Sequence, residues 1–516
     1  MGKSPKDAKI IASFMNYDVI IGLEIHAGLK TKSKMFCSCP NDNSSEANRN
    51  TCPICLGHPG TLPVANKRAI EETVLLGLAL GCTINQHSKF DRKNYYYPDL
   101  PKGYQISQFD IPFCVGGQLE ANGQKIDITR IHLEEDTGRL SHPAFSDETL
   151  VDFNRAGTPL IELVTEPVIR DGATAKAFGQ RYQQVLRYLN ISNADMEKGE
   201  MRCEANISLQ KKGSWKYKDG QIIPVGKNKL NHKVELKNIN SFRAMEKAIE
   251  FEIKRQSKIL DEGGSIPPET RGWNEDKSET IRQRVKESSA DYRYFPDPDL
   301  PPVTISSAWL KEIKSRMVEL PWKAENRLRS EYGLSDYDAA VLAADKQLAA
   351  YFEAVVSEMQ AWLKSEKDSW ERQDKTLAKL ASNWISNELL KKLKEKNQSP
   401  ADLKITAENF GEFILMIHQG KMNSSAAQTI FAEMIKTGGE PDAIMQKLGL
   451  EIVDDENVLV EAIKKIIKAK PDQVAEYKKG KTTVIQFFIG QVMAATKGAA
   501  NPQTVKELLE KELNNN

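Results

Sequence analysis

Three stretches of this 516-residue chain carry acids, two of them with an imidazole, at spacings that could do chemistry. In residues 17–29, YDVIIGLEIHAGL, Glu24 and His26 stand two apart between Gly22 and Gly28. Read as a strand, the segment buries Val19, Ile21, Leu23 and Ile25 on one face. Glu24 and His26 then leave together from the other. Such a pair is a candidate ligand set for a divalent cation; a polar strand face with its own salt bridge is the plainer alternative. Residues 129–139, TRIHLEEDTGR, concentrate negative charge after an alternating run, which needs a cation, protonation or good solvation. Alternation puts Arg130, His132 and Glu134 on one face and Glu135 on the other, and does not decide which carboxylate serves a site. In residues 151–167, Glu162 interrupts the apolar run 160–164, costly unless the carboxylate is paired or bound to metal. Carboxylates and a histidine from three separated strands would form an oxygen-rich Mg²⁺ site of the kind used in phosphoryl transfer.

The cysteines give the sharpest spacing. Cys37 and Cys39 are followed, after a polar loop of twelve residues, by Cys52 and Cys55. Two close pairs around a loop without core residues fit a tetrahedral Cys₄ zinc site. Redox chemistry needs only one such pair, and no thioredoxin-like context surrounds these. Cys82, Cys114 and Cys203 read as isolated core or sheet residues.

The elements that must position these groups follow from composition. Up to residue 307 the chain holds 22 of its 31 Gly and 18 of its 23 Pro, which punctuate short β-type runs at 19–23, 125–133, 160–165, 206–209 and 233–236. Helical patterns at 66–80 and 174–189 are interleaved. This predicts an α+β domain with one large, mostly antiparallel sheet. Beyond residue 307 the apolar residues take a helical period, so the remainder is all-α. The expected division is 1–307, 308–445 and a tail from 446 to 516.

Lys plus Arg number 72 against 71 Asp plus Glu, so any RNA contact must use local basic patches. The lysines at 464, 465, 468, 470, 478, 479 and 481 could supply one, although a solvated helix face is the commoner meaning. No apolar run is long enough to cross a bilayer, and the first residues lack a signal-peptide pattern, so a cytoplasmic protein without membrane contact is expected. Gly480-Lys481-Thr482 resembles the end of a phosphate-binding loop, but Ala475 stands where the first glycine is required. No nucleophile loop of the amidase kind is present, so ammonia, if needed, must come from another chain.

Taken together, IGLEIHAGLKTKSKMF, FDRKNYYYPDLPKGYQISQFD, TRIHLEEDTG, DFNRAGTPLIELVTEP, MRCEANISL, KVELKNINSFRAMEKAIEFEIKRQ, RVKESSADYRYFPDPDLPP and FFIGQVMAATKGAANPQ resemble the GatB family. This is the B-type component family of the aspartyl/glutamyl-tRNA amidotransferases. The resemblance implies a glutamine synthetase-like catalytic "cradle" and a helical remainder, 366–516 being YqeY-like, whose tail contacts tRNA. It implies a heterotrimer with A (glutaminase) and C subunits that converts misacylated Asp-tRNA(Asn) or Glu-tRNA(Gln) to the amide. In that family the GatB chain uses ATP and Mg²⁺ to phosphorylate the side-chain carboxylate. Carried over position by position, the Mg²⁺ ligands are Glu24, His26, Glu135 and Glu162. That choice of Glu135 over Glu134 runs against simple alternation, and a β-bulge before Glu135 would reconcile the two. Lys93 and Arg155 are candidates for phosphate or carboxylate contacts, salt-bridging between loops being the alternative. Structural Zn²⁺ on Cys37, Cys39, Cys52 and Cys55 occurs in only part of the family. Two rivals remain: a non-catalytic RNA-binding module, and a free-standing carboxylate–amine ligase acting on a small molecule.

Overall fold

The computed structural model describes residues 16–143, 146–285, 291–365, 370–450, 456–478, 480–496, 500 and 502–515. The amino-terminal stretch read for a leader, the expected YqeY-like start at 366 and Lys479 lie outside these. The chain forms two compact units, Met1–Leu320 and Pro321–Asn516.

The first unit is built on a ten-stranded sheet. In chain order its strands are β1 (Tyr17–Gly28), β2 (Thr83–Ile84), β3 (Cys114–Val115), β4 (Gln118–Ala121), β5 (Gln124–Glu135), β6 (Pro159–Thr165), β7 (Met201–Lys211), β8 (Val234–Ile239), β9 (Glu269–Asn274) and β10 (Glu279–Val285). Their spatial order is β10-β9-β8-β7-β1-β6-β5-β3-β2, with β4 paired to β5. Only β8 with β9 is parallel. The mostly antiparallel sheet expected from the sequence is therefore present.

Alternation along β1 is regular. Ile21, Leu23, Ile25 and Ala27 are buried on one face, and Gly22, Glu24, His26 and Gly28 are half-buried on the other. Helices α1 (Lys67–Ala79), α2 (Gly172–Tyr188) and α3 (Phe242–Asp261) start at side-chain caps from Asn66, Asp171 and Ser241, which satisfy otherwise orphaned backbone N–H groups. Phe178, Tyr182 and Val185 of α2 and Met245, Ile249 and Ile253 of α3 are buried, and α3 packs on β7. Helix α4 (Ser307–Ser315) belongs to this unit: it packs on α1, and Trp309 donates its indole N–H to Glu71 at 2.9 Å. A small three-stranded sheet, Asp91–Asn94 between Tyr104–Ser107 and Phe295–Pro296, packs on β5 through Tyr104–Ser107.

The second unit is helical throughout its described residues. Trp384, Phe413 and Phe431 form an aromatic cluster. Nearer the end, Leu459, Ile463, Phe488, Val492, Val505 and Leu509 form a core shared by Glu456–Ala469, Val484–Ala495 and Pro502–Asn515. Of the lysine cluster, Lys464 pairs with Glu512 at 3.8 Å and Lys481 with Glu476 at 2.9 Å.

Candidate active site

The register of three adjacent strands builds the acidic site. His26 of β1 lies directly opposite Glu162 of β6, and Glu162 lies directly opposite His132 of β5. Residues opposite one another across a sheet present their side chains on the same face, so these three form one transverse row. On the other side of β1 the row continues to Arg202 of β7. His26 Nε2 and His132 Nε2 each lie 3.2 Å from the same Glu162 oxygen, Oε2. Glu24 is 3.8 Å and Glu134 also 3.8 Å from His26 Nε2, and Arg130 reaches the other Glu162 oxygen at 3.6 Å. Two overlapping sets, Glu24–His26–Glu162 and His132–Glu134–Glu162, are each compact enough to hold a metal ion and share Glu162.

Charge here is balanced internally. Glu162 is only 5% exposed. Burial alone would protonate it, yet the two imidazoles hold it well below the ordinary carboxylate range. His132 responds in the opposite sense: burial opposes its charge, but Glu162 and Glu134 push it up to about 9. Glu24 is raised, first by burial and then by the neighbouring Glu162. Metal-free, the cluster is thus carboxylates compensated by protonated imidazoles, a composition that a divalent cation can replace with neutral imidazoles. The Nδ1 atoms of both histidines are buried without a hydrogen-bond partner, which leaves each ring held through Nε2 alone.

Around this row stand cations and aromatics. Lys93 sits over the rings of Tyr292 and Tyr95, at 5.1 and 5.9 Å. Burial works against its charge, but Glu134 and Glu162 raise its pKa above the ordinary lysine value. Arg155 donates to the Thr137 and Gly138 carbonyls and approaches Asp136 at 3.5 Å; Arg202 pairs with the other Asp136 oxygen at 3.0 Å. Arg155 and Asp136 line a broad cleft of about 1030 Å³ together with Asn41, Arg139, Asn193 and Lys198.

The four cysteines converge as their spacing suggests: one Sγ from each of Cys37, Cys39, Cys52 and Cys55 lies within 4.8 Å of the others. Cys37 hydrogen-bonds to the Cys55 thiol and draws it down to about 5 against the effect of burial. This all-sulfur donor set in one tetrahedron-sized cluster fits zinc. None of the four is in a disulfide.

Residues 19–311 match the sequence model of the GatB/GatE catalytic domain, and residues 368–513 match that of the GatB domain. The chain is 44% identical over 503 residues to the B component of the aspartyl/glutamyl-tRNA(Asn/Gln) amidotransferase of Thermoanaerobacter pseudethanolicus, covering 97% of this chain and 100% of that one. The corresponding protein of Caldicellulosiruptor bescii is 42% identical over 506 residues, covering 97% and 99% of the two chains. The chain belongs to the GatB family.

Against this GatB assignment, the expected ligand set is only partly assembled. Glu24, His26 and Glu162 come together; Glu135 does not join them. It lies on the opposite face of β5, where Lys102 Nζ pairs with it at 2.7 Å and the Ile106 N–H donates to it at 2.9 Å. There it borders a separate cavity of about 210 Å³ lined also by Phe36, Cys37, Cys55, His58 and Lys102. Glu134 takes the place at the site and accepts a hydrogen bond from Ser107 at 2.9 Å. The strand does carry a bulge, but at Thr129: Val164 pairs with Arg130 and Thr165 with Ile128. From Arg130 to Glu135 the ladder is unbroken, so simple alternation governs that end. Alternation places His132 and Glu134 on one face together; that this is the face of His26 and Glu162 follows from the strand register. Arg202 was missed, because nothing in MRCEANISL signals that its register runs opposite His26.

Proposed function

We propose that this chain carries the ATP-dependent kinase step of a tRNA-dependent amidotransferase on the row His26–Glu162–His132, flanked by Glu24 and Glu134. It works in the cytoplasm as the GatB component of a heterotrimer, with a glutaminase (A) and a C subunit, on misacylated Asp-tRNA(Asn) or Glu-tRNA(Gln). A side-chain carboxylate oxygen attacks the γ-phosphorus of ATP and ADP departs. Ammonia from the glutaminase then attacks the acyl phosphate, inorganic phosphate leaves and the amide remains.

The residues support this division of labour. Glu24, His26 and Glu162 form one ligand set for Mg²⁺, and His132 and Glu134 with the shared Glu162 form the other. A divalent cation bound there supplies charge neutralisation for phosphate oxygens. Lys93 adds a positive charge, fixed between two aromatic rings, next to the same acids, where it can steady the transferring phosphoryl group. Arg155, which lines the adjoining cleft beside Asp136 with Arg139 and Lys198, is the candidate contact for the substrate carboxylate, and Arg202 holds the other Asp136 oxygen. The thiol quartet carries structural Zn²⁺ and keeps the loop between its pairs folded.

The observation that carries the reading is the convergence of acids from three strands on two imidazoles. The test is ATP hydrolysis by the reconstituted heterotrimer with and without Glu-tRNA(Gln), first in Mg²⁺ and then in EDTA. Dependence on both the misacylated tRNA and the cation is expected; hydrolysis indifferent to either would overturn it. Turnover with free glutamate and no tRNA would favour a small-molecule ligase instead. No helix among the described residues is long and apolar enough to cross a membrane.

A further inference from the structure

Lys34 is a fully buried lysine, 0% exposed, directly beneath the thiol quartet. Its ammonium donates to the Asn50 carbonyl at 2.7 Å and the Phe153 carbonyl at 3.2 Å, and it lies 3.9 Å from Cys55 Sγ. Among the described residues no carboxylate pairs with it. A buried cation held by neutral carbonyls alone is strongly unfavourable. The charge it faces is sulfur. Four thiolates on a divalent zinc would leave the cluster doubly negative, and Lys34 stands on the side of Cys55, the most buried of the four, so one ammonium offsets half of that excess.

We propose that Lys34 is the built-in counter-charge of the zinc site and the strut that ties it to the loop bearing Arg155. The second half rests on the same side chain. Phe153 begins the loop 153–158, in which Arg155 holds Asp136. Gly157 of that loop has φ +85°, which favours glycine, and its open side faces the Lys34 stem and Cys55 Cβ, 3.5 and 3.7 Å from where a Cβ would stand. The Met35 N–H donates to the Gly157 carbonyl at 2.6 Å, and Asn154 accepts from the Asn50 N–H at 2.8 Å. Cys55, Lys34 and the loop therefore form one connected set of contacts: loss of the cluster's charge would strand the lysine, and loss of the lysine would loosen both sides.

This inference rests on the zinc reading above, and the experiment separates the two. The heterotrimer is prepared as wild type, Lys34→Met and Lys34→Arg. Zinc affinity is measured by chelator competition, and the thiolate-to-metal absorption of the cobalt-substituted proteins is recorded. The expected result is a 10- to 100-fold weaker zinc affinity and a shifted charge-transfer band in Lys34→Met, with Lys34→Arg close to wild type. Equal affinity in wild type and Lys34→Met overturns the role of Lys34 while leaving zinc in place. A wild type that binds neither metal overturns the zinc reading itself, and this inference with it. Should Lys34→Met fail to assemble, the double variant Lys34→Met/Cys55→Ser decides. Recovery of assembly supports charge pairing with the cluster. Failure there too assigns Lys34 to bridging the two carbonyls, and the proposal falls.

Discussion

Replacing Glu162 by Gln keeps the shape of the central side chain and removes the charge on which both imidazoles depend. His132 is raised from the ordinary 6.5 to about 9, which at about 1.4 kcal/mol per tenfold corresponds to about 3 kcal/mol of favourable coupling in the metal-free protein. The sign follows from linkage. A raised imidazole stabilises the fold fully below pH 6.5, and the contribution is lost as pH rises through about 9. Glu162 shares this coupling with Glu134, so Glu162→Gln should melt lower than wild type in EDTA at pH 6 by a few degrees, with about 6 °C as the ceiling at roughly 2 °C per kcal/mol for a unit of this size. The gap should close towards pH 9.5, where the wild-type imidazole has lost its proton. Differential scanning of the purified heterotrimer across this range reads the effect directly. Saturating Mg²⁺ should raise the wild-type melting temperature and barely move the variant, because the shared carboxylate is missing. A gap that stays constant from pH 6 to 9.5, or an equal Mg²⁺ response in both proteins, would refute the reasoning.

Other substitutions separate the roles of neighbouring residues. Glu134→Gln should raise the Mg²⁺ concentration needed for half-maximal ATP hydrolysis at least tenfold, whereas Glu135→Gln should leave that requirement unchanged. Glu135→Gln should instead destabilise the first unit by about 1–2 kcal/mol, since it takes the ionised partner from the half-buried Lys102, a loss visible in a melting curve. Lys93→Met should cut tRNA-dependent kcat by about a hundredfold with little change in tRNA binding, measured by filter retention beside turnover. Stripping zinc with a strong chelator should lower the melting temperature and expose residues 40–51 to protease, and zinc readdition should reverse both.

Much of this site could be seen in the sequence, and for local reasons. Alternation in β1 put Glu24 and His26 on one face because a strand's period is two, whatever it pairs with. The cost of a carboxylate in the apolar run of β6 marked Glu162 for the same kind of reason. Parity in β5 grouped Glu134 with His132 and apart from Glu135 without saying which face serves the site, and the bulge at Thr129 does not disturb that grouping. What could not be read was register. The meeting of His26, Glu162 and His132 depends on hydrogen-bond pairing between segments 136 and 30 residues apart, and no local pattern specifies it. The same limit hid Arg202 opposite His26, and Lys34, whose meaning comes from what lies above it and not from its neighbours in KTKSKMF.

The placement of β1 between β6 and β7 has a consequence for synthesis on the ribosome. The amino-terminal strand emerges first but has neither lateral neighbour until Pro159–Thr165 and then Met201–Lys211 have left the exit tunnel. Its paired glutamate and imidazole consequently wait, unsupported, through much of the first unit's translation. Contacts of such long sequence separation form late and slowly. A chain stopped before residue 162 therefore lacks the row His26–Glu162–His132 altogether.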